Sequence, residues 1–262
     1  MLNYLNKMKY RHFSYPLLSL LMTFGIITGS PEASLAIPWL ELLLRGAQVV
    51  QLYSISEEEE IQLGKQINQQ LISSGQIQLY SNQKTNRYVN QIGQRLAANS
   101  TRPNIPYTFQ VVRDSSINAF ATAGGYVYVT TGLLGAVDNE AQLAAVLAHE
   151  IAHIASRHSI EQMRQTAITR GLVSAAGLDR STAVQLGVEL ALQRPRSRED
   201  EYEADRRGIE TLARAGYDQR AMIAFLQKLR NQPTPPTFLS THPAPDDRIS
   251  ALRRAISRSN SR

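Results

Sequence analysis

The 262-residue sequence has no cysteine. Disulfides, a lipid-acceptor cysteine and thiolate metal sites are therefore excluded, and any metal ion must be held by His, Asp or Glu. Histidine is itself scarce: there are five, and three of them crowd into VLAHEIAHIASRH, residues 146–158. Beyond the N-terminal region no run is long and apolar enough to span a membrane. GLVSAAGLDRSTAVQLGVELAL, 171–192, comes nearest and is interrupted by Asp179, Arg180 and Glu189. There is no internal repeat, which excludes a solenoid. Acids are outnumbered, 22 against 28 basic residues, for a net charge of +6 and a pI near 9.6. That balance permits contact with nucleic acid or anionic lipid without demanding it. The arginines of the last seventy residues read as a solvated helix face, so no nucleic-acid partner is expected.

The first thirteen residues, MLNYLNKMKYRHF, carry Lys7, Lys9 and Arg11 and no acid. An apolar stretch from Pro16 to Thr28 follows, then GSPEASLA, with Ser34 and Ala36 at the −3 and −1 places. This pattern reads as a secretory signal over residues 1–36, or as an uncleaved signal anchor. Both send the body of the protein outside the cytoplasmic membrane, to the periplasm or cell envelope. Residues 37–56 read as an amphipathic linker helix with Trp39, Leu40, Leu43, Leu44 and Val50 on one face. That face packs on the domain or serves as a linker; a peripheral membrane contact is the weaker reading.

The domain proper is expected over 57–258, with a tail at 259–262. Ser56 before four glutamates marks a helix start: the hydroxyl caps free amides and the acids complement the helix dipole. A second helix is expected over about 82–98, ended by TRPNIP. YTFQVVRD, 107–114, reads as a strand, and 118–134 as two short strands about Gly124 and Gly125. DNEAQLAAVLAHEIAHIASRH is apolar on nearly all sides. It should be the buried central helix, starting at Asp138 or Asn139. From there the pattern is helical to the end, broken at 194–197, 215–217 and 231–245. Helices, then strands, then helices argue for an α+β domain with a small sheet.

Within the central helix His149 and His153 stand four apart, one turn along one face, so both imidazoles reach a single ion. Glu150 projects about 100° around the helix from His149, beside the ion, where a base acting on water should stand. Two histidines satisfied by hydrogen bonds in a core is the competing reading. It sits poorly with a helix that is otherwise apolar. A catalytic zinc takes three protein ligands and leaves a place for water, so a third must come from elsewhere. SREDEYEADRRG, 197–208, supplies Glu201 and Asp205, again four apart. One carboxylate can bind metal while the other holds a ligand histidine from behind.

Five segments in this order, SISEEEEIQLG, NAFATAGGYVYVTTGLL, AAVLAHEIAH, REDEYEADRRG and STHPAPDDRI, resemble the M48 metallopeptidases, zinc endopeptidases of the gluzincin type. The resemblance spans roughly 190 residues. It is nearest to the soluble envelope-located members of bacteria and the related mitochondrial ones, since the spanning helices of the polytopic branches are missing; it departs from some envelope members in lacking a lipobox cysteine. It implies a mainly helical zincin-like domain with a small sheet beside the active-site helix. It further implies one zinc per chain on His149, His153 and Glu201, with Glu150 as general base toward a zinc-activated water. Asp205 would orient a zinc histidine. His242, in STHP, matches a histidine that in some members occupies the water position, as a fourth ligand or gate. Asn118, Ala119, Phe120 and Ala121 match a strand at the edge of the active-site sheet, where an extended polypeptide pairs. His158 matches no ligand position and reads as structural on the same helix. The implied function is hydrolysis of peptide bonds in misfolded or misassembled envelope proteins. The alternative is a chaperone or assembly factor in which proteolysis is rare or gated. Oligomeric state is not legible.

Overall fold

The computed structural model describes residues 49–172, 177–193 and 196–259. The expected leader, 1–36, and residues 37–48 of the expected linker helix lie outside the described residues. Among the described residues no helix is long and apolar enough to cross a membrane. Residues 49–56 are not helical: β1 (Val49–Val50) is a strand, followed by a turn. Two adjacent valines are stiff at χ1 and favour the extended backbone. They find a partner in β5 (Leu178–Asp179), paired antiparallel as Val49 with Asp179 and Val50 with Leu178.

α1 (Glu57–Ser73) begins as the sequence requires. Ser56 Oγ accepts from the Glu59 amide, and the Glu59 carboxylate accepts from the Ser56 amide, closing a capping box. Asn82 caps α2 (Gln83–Ala97), and Asn139 rather than Asp138 caps the central helix α4 (Glu140–Ala155). Every residue of α4 from Gln142 to Ile154 is buried. It packs on α2, on α7 (Arg198–Arg214), on α8 (Arg220–Arg230) and on the sheet.

That sheet has three strands in the order β2 (Thr108–Val112), β4 (Tyr126–Thr130), β3 (Ala119–Ala121). β2 and β4 are parallel, from Thr108 opposite Tyr126 to Val112 opposite Thr130. β3 is antiparallel to β4, with Phe120 opposite Tyr128, and lies at the edge nearest α4. The register decides which groups of β3 are free. Thr130 N–H donates to Asn118 O, and Thr122 N–H donates to Tyr126 O. Asn118, Phe120 and Thr122 therefore turn their backbone groups toward β4, and Ala119 and Ala121 turn theirs toward the open edge.

The end of β3 is fixed by a close backbone approach. A Cβ on Gly64 of α1 would lie 2.0 Å from Ala123 O, and Gly124 adopts φ +74°. Only glycine allows α1 to press against this turn. α3 (Thr131–Ala136) follows β4, and the chain then enters α4. α5 (His158–Thr169) and α6 (Arg180–Gln193) come after it. The chain does not run as one helix from α4 to α5, because Arg157 sits in the left-handed region at φ +58°. The short α9 (Thr237–Thr241) interrupts the proline-rich stretch ahead of α10 (Pro245–Ser259). Mostly helical, with a small three-stranded sheet and the short β1–β5 pair, the domain is the α+β arrangement expected.

Candidate metal centre

Three elements meet at one end of α4. α4 carries His149, Glu150 and His153, all fully buried. α7, capped by Ser197 through the Asp200 amide, lays Glu201 and Asp205 along the face that crosses α4. The loop between α9 and α10 brings in His242, whose ring stacks on Phe238 at 4.4 Å between centroids. Phe238 is itself anchored, its N–H donating to Ile117 O just before β3.

His149, His153, Glu201 and His242 form a buried group with one donor atom each, all within 4.8 Å of one another. His149 Nε2 lies 3.0 Å from His153 Nε2, 3.3 Å from His242 Nδ1 and 3.4 Å from Glu201 Oε2. His153 Nε2 lies 3.2 Å from Glu201 Oε1, and His242 Nδ1 lies 3.0 Å from the same oxygen. Two nitrogens on a tetrahedral zinc, each about 2.0–2.1 Å from the ion, stand roughly 3.3 Å apart. One proton cannot satisfy three imidazole lone pairs turned to a common point, whereas one cation can.

Charge gives the same answer. Glu150, Glu201 and Asp205 are buried carboxylates, and Arg248 is the fully buried cation among them. Arg196 stands nearby, within electrostatic reach of Glu150 and Glu201. With neutral imidazoles, the three buried carboxylates still outnumber these two guanidinium groups, an excess of acid that a bound cation relieves. Burial pulls the His149 pKa down, but Glu201 and Asp205 outweigh it and lift the group to about 9. Burial pushes the Glu201 carboxyl up, yet His242, Arg248 and His149 hold it well below the carboxylate range. Glu201 and Asp205 are thus held ionised, and positive charge is drawn onto His149. His153 goes the other way: burial and the nearby Arg196 hold it well below the usual imidazole value, in the neutral form that binds metal. The residues present fit zinc.

The surrounding groups hold this set in place. Asp205 Oδ1 lies 3.0 Å from His149 Nδ1, the nitrogen facing away from the cluster. Arg248, on α10, donates from Nε to Asp205 Oδ2 at 2.8 Å and from Nη2 to Asp205 Oδ1 at 2.7 Å. Its Nη1 lies 2.7 Å from Glu201 Oε2 and donates to His242 O at 3.3 Å. One guanidinium thus ties together a donor, the acid behind another donor, and the loop bearing the fourth. Sequence reasoning counted the late arginines as a solvated face; Arg248 departs from that reading. It could have been found from its place beside Ile249, Leu252 and Ile256 on the apolar stripe of α10, all buried.

Glu150 differs from its neighbours. It is fully buried, and neither carboxylate oxygen has a hydrogen-bond partner among the described residues. His242 Nε2 comes within 3.4 Å of Oε1, at ion-pair distance but without hydrogen-bond geometry. A buried carboxylate without partners costs several kcal/mol unless a ligand or water completes it.

The edge strand lies against this group. Ala119 O, on the open edge of β3, is 3.4 Å from His242 Nε2, and Ala121 O accepts from Arg196 Nη2 at 3.0 Å. Asn118 Oδ1 accepts from the Thr241 hydroxyl at 3.3 Å, which links the strand to the His242 loop. Phe120 faces away and stacks on Tyr128. His158 was expected to be merely structural. Its Nδ1 lies 2.8 Å from His153 Nδ1.

Comparison with known proteins fits this geometry. Residues 83–256, well over half of the chain, match peptidase family M48. The chain belongs to peptidase family M48. Among relatives, the putative beta-barrel assembly-enhancing protease of Vibrio cholerae serotype O1 is 38% identical over 185 residues, covering 64% of this chain and 38% of that protein. The beta-barrel assembly-enhancing protease of Yersinia pestis is 36% identical over 264 aligned positions, covering 90% of this chain and 52% of that protein. The mitochondrial metalloendopeptidase OMA1 of Schizosaccharomyces pombe is 33% identical over 182 residues, covering 67% and 54%. The chain spans about half or less of the length of these relatives.

Proposed function

We propose that this M48 chain is a zinc-dependent endopeptidase acting on polypeptides of the cell envelope. Its ion would be held by His149, His153 and Glu201, with His242 as a fourth donor in the closed state. The observation that carries the reading is the buried four-donor group standing beside a carboxylate that has no partner. When bound, zinc supplies a Lewis acid that polarises a carbonyl and lowers the pKa of water to about 7.

The remaining chemistry belongs to the chain. Glu150 accepts the proton of the attacking water on a carboxylate oxygen and delivers it to the leaving amine. Its lack of partners keeps both oxygens available. Asp205 fixes the tautomer and direction of His149 by accepting from Nδ1. The open edge of β3, through Ala119 and Ala121, aligns an extended substrate as an added strand. His242 rests in the space such a strand would use, since it reaches both Ala119 O and the Glu150 carboxylate. The substrate class follows from the names of the relatives, which concern β-barrel assembly. A leader over 1–36, cleaved or retained as an anchor, is part of the same proposal, as is a peptidase domain over 57–258. A second reading, a polypeptide-binding assembly factor with rare cleavage, is favoured by the same occupancy of the β3 edge.

The full chain purified with zinc is expected to carry about one ion per chain. His149→Ala and His153→Ala should each remove it by elemental analysis; stoichiometric zinc in both variants would refute the centre. His242→Ala should keep the zinc and raise basal cleavage of unfolded casein. Wild-type metal content with wild-type activity in that variant would remove the gate, and lost activity would give His242 a role in the transition state.

A further inference from the structure

His153 and His158 meet at 2.8 Å through their two Nδ1 atoms. We infer that His158 is a positioning residue that fixes the tautomer and direction of His153 and anchors that ring to Glu203 and Asp200. The inference rests on the zinc reading above and extends it to a side chain outside the donor set.

Proton placement sets the role of each ring nitrogen. His153 turns Nε2 into the donor group, 3.0 Å from His149 Nε2 and 3.2 Å from Glu201 Oε1, so that nitrogen carries the ligating lone pair. A neutral imidazole has one proton, which is then on Nδ1. Its neighbour at hydrogen-bond distance, His158 Nδ1, must be an acceptor. The proton of His158 is therefore on Nε2, which lies 3.4 Å from Glu203 Oε2 and 3.6 Å from Asp200 Oδ1. Glu203 is held in turn by Ser156 Oγ, donating at 3.2 Å, and by Arg207 Nε, donating at 2.7 Å. Each ligand histidine of α4 thus has a partner behind it: a carboxylate for His149, a histidine for His153. The choice suits the charge of the site. A carboxylate directly behind His153 would add a fourth buried negative charge. A neutral imidazole instead passes the contact outward to Glu203 and Asp200, whose side chains are 34% and 29% exposed.

The backbone is bent to make this contact. On an unbroken helix a residue five positions after His153 would point about 140° away from it. The left-handed Arg157, at φ +58°, ends α4 and swings His158 back beneath its last turn. A non-glycine residue there costs roughly 1 kcal/mol or more. The conformation is tied down by Arg157 Nη2 donating to Ile55 O at 2.7 Å and by an ion pair with the buried Glu60 at 2.9 Å. His158 itself is buried, 4% exposed.

The test uses the full-length protein. In the zinc-loaded wild type, nitrogen-15 NMR of labelled histidine should show His153 protonated on Nδ1 and His158 on Nε2. The opposite tautomer of His158 would overturn the inference without any variant. Zinc affinity, read by chelator competition, should fall about 10–100-fold in His158→Leu, which keeps bulk but accepts nothing. His158→Asn, whose side-chain oxygen can reach the position of Nδ1, should recover most of it. Equal affinity in His158→Leu and wild type overturns the inference, as does an Asn variant that falls as far as Leu at unchanged melting temperature. A wild-type protein that binds no zinc at all overturns the parent reading instead, before the variants are compared.

Discussion

Glu150→Gln is expected to lose roughly 10²–10⁴-fold in turnover of unfolded casein, the range typical of general acid–base catalysis, while zinc and fold persist. Gln has the shape of Glu but cannot take the water proton. In most sites such a change would also break hydrogen bonds and cloud the result. Here neither oxygen of Glu150 has a hydrogen-bond partner to lose. A neutral amide of the same shape leaves no charge to bury at this position, so the stability of the metal-free protein should be unchanged or slightly higher. Zinc content by elemental analysis and a urea midpoint, measured on the same preparation, separate chemistry from folding. Undiminished hydrolysis with zinc in place would put the base elsewhere.

How much of this was legible beforehand depended on whether the signal was local. The capping box at Ser56, the buried α4 and the i,i+4 pairs His149/His153 and Glu201/Asp205 are short-range patterns, and each carries its geometry in its spacing. The strands around Gly124 and Gly125 were legible because positive φ and alternating apolar residues occur together there. What the sequence could not carry were contacts made by a chain break or a distant element. By helical periodicity His158 continues α4, and nothing in SRHS announces a left-handed arginine. The strand at Val49–Val50 exists only because β5 lies beside it. Helical periodicity through residues 37–50 pointed elsewhere. Arg248 lies ninety-nine residues after His149, among arginines that do face solvent. Its role follows from the carboxylates it meets, and those are fixed only when α10 packs on α7.

Arg248→Met should destabilise the metal-free protein by about 3–5 kcal/mol, the usual cost of breaking a buried ion pair by removing one partner. Arg248 is 0% exposed. Burial works against its charge, but Asp205 and Glu201 reverse that and raise its pKa above the usual arginine value. Without it, both carboxylates stay buried with their partner gone, and His242 O loses a donor. Met fills similar volume, so the loss reports charge rather than a cavity. Lysine should not rescue: a single ammonium cannot hold both oxygens of Asp205 and one of Glu201 at once, as the guanidinium fork does. Zinc changes the size of the effect in a way that tests the charge argument. The ion brings two positive charges to the carboxylates that Arg248 would abandon, so the variant should lose less stability with zinc bound than without. Urea unfolding of both forms of wild type and variant gives that difference directly. A loss under about 1 kcal/mol in the metal-free protein, well short of a broken buried pair, would mean that Asp205 and Glu201 do not stay ionised there. The centre would then not be a site with an excess of buried negative charge.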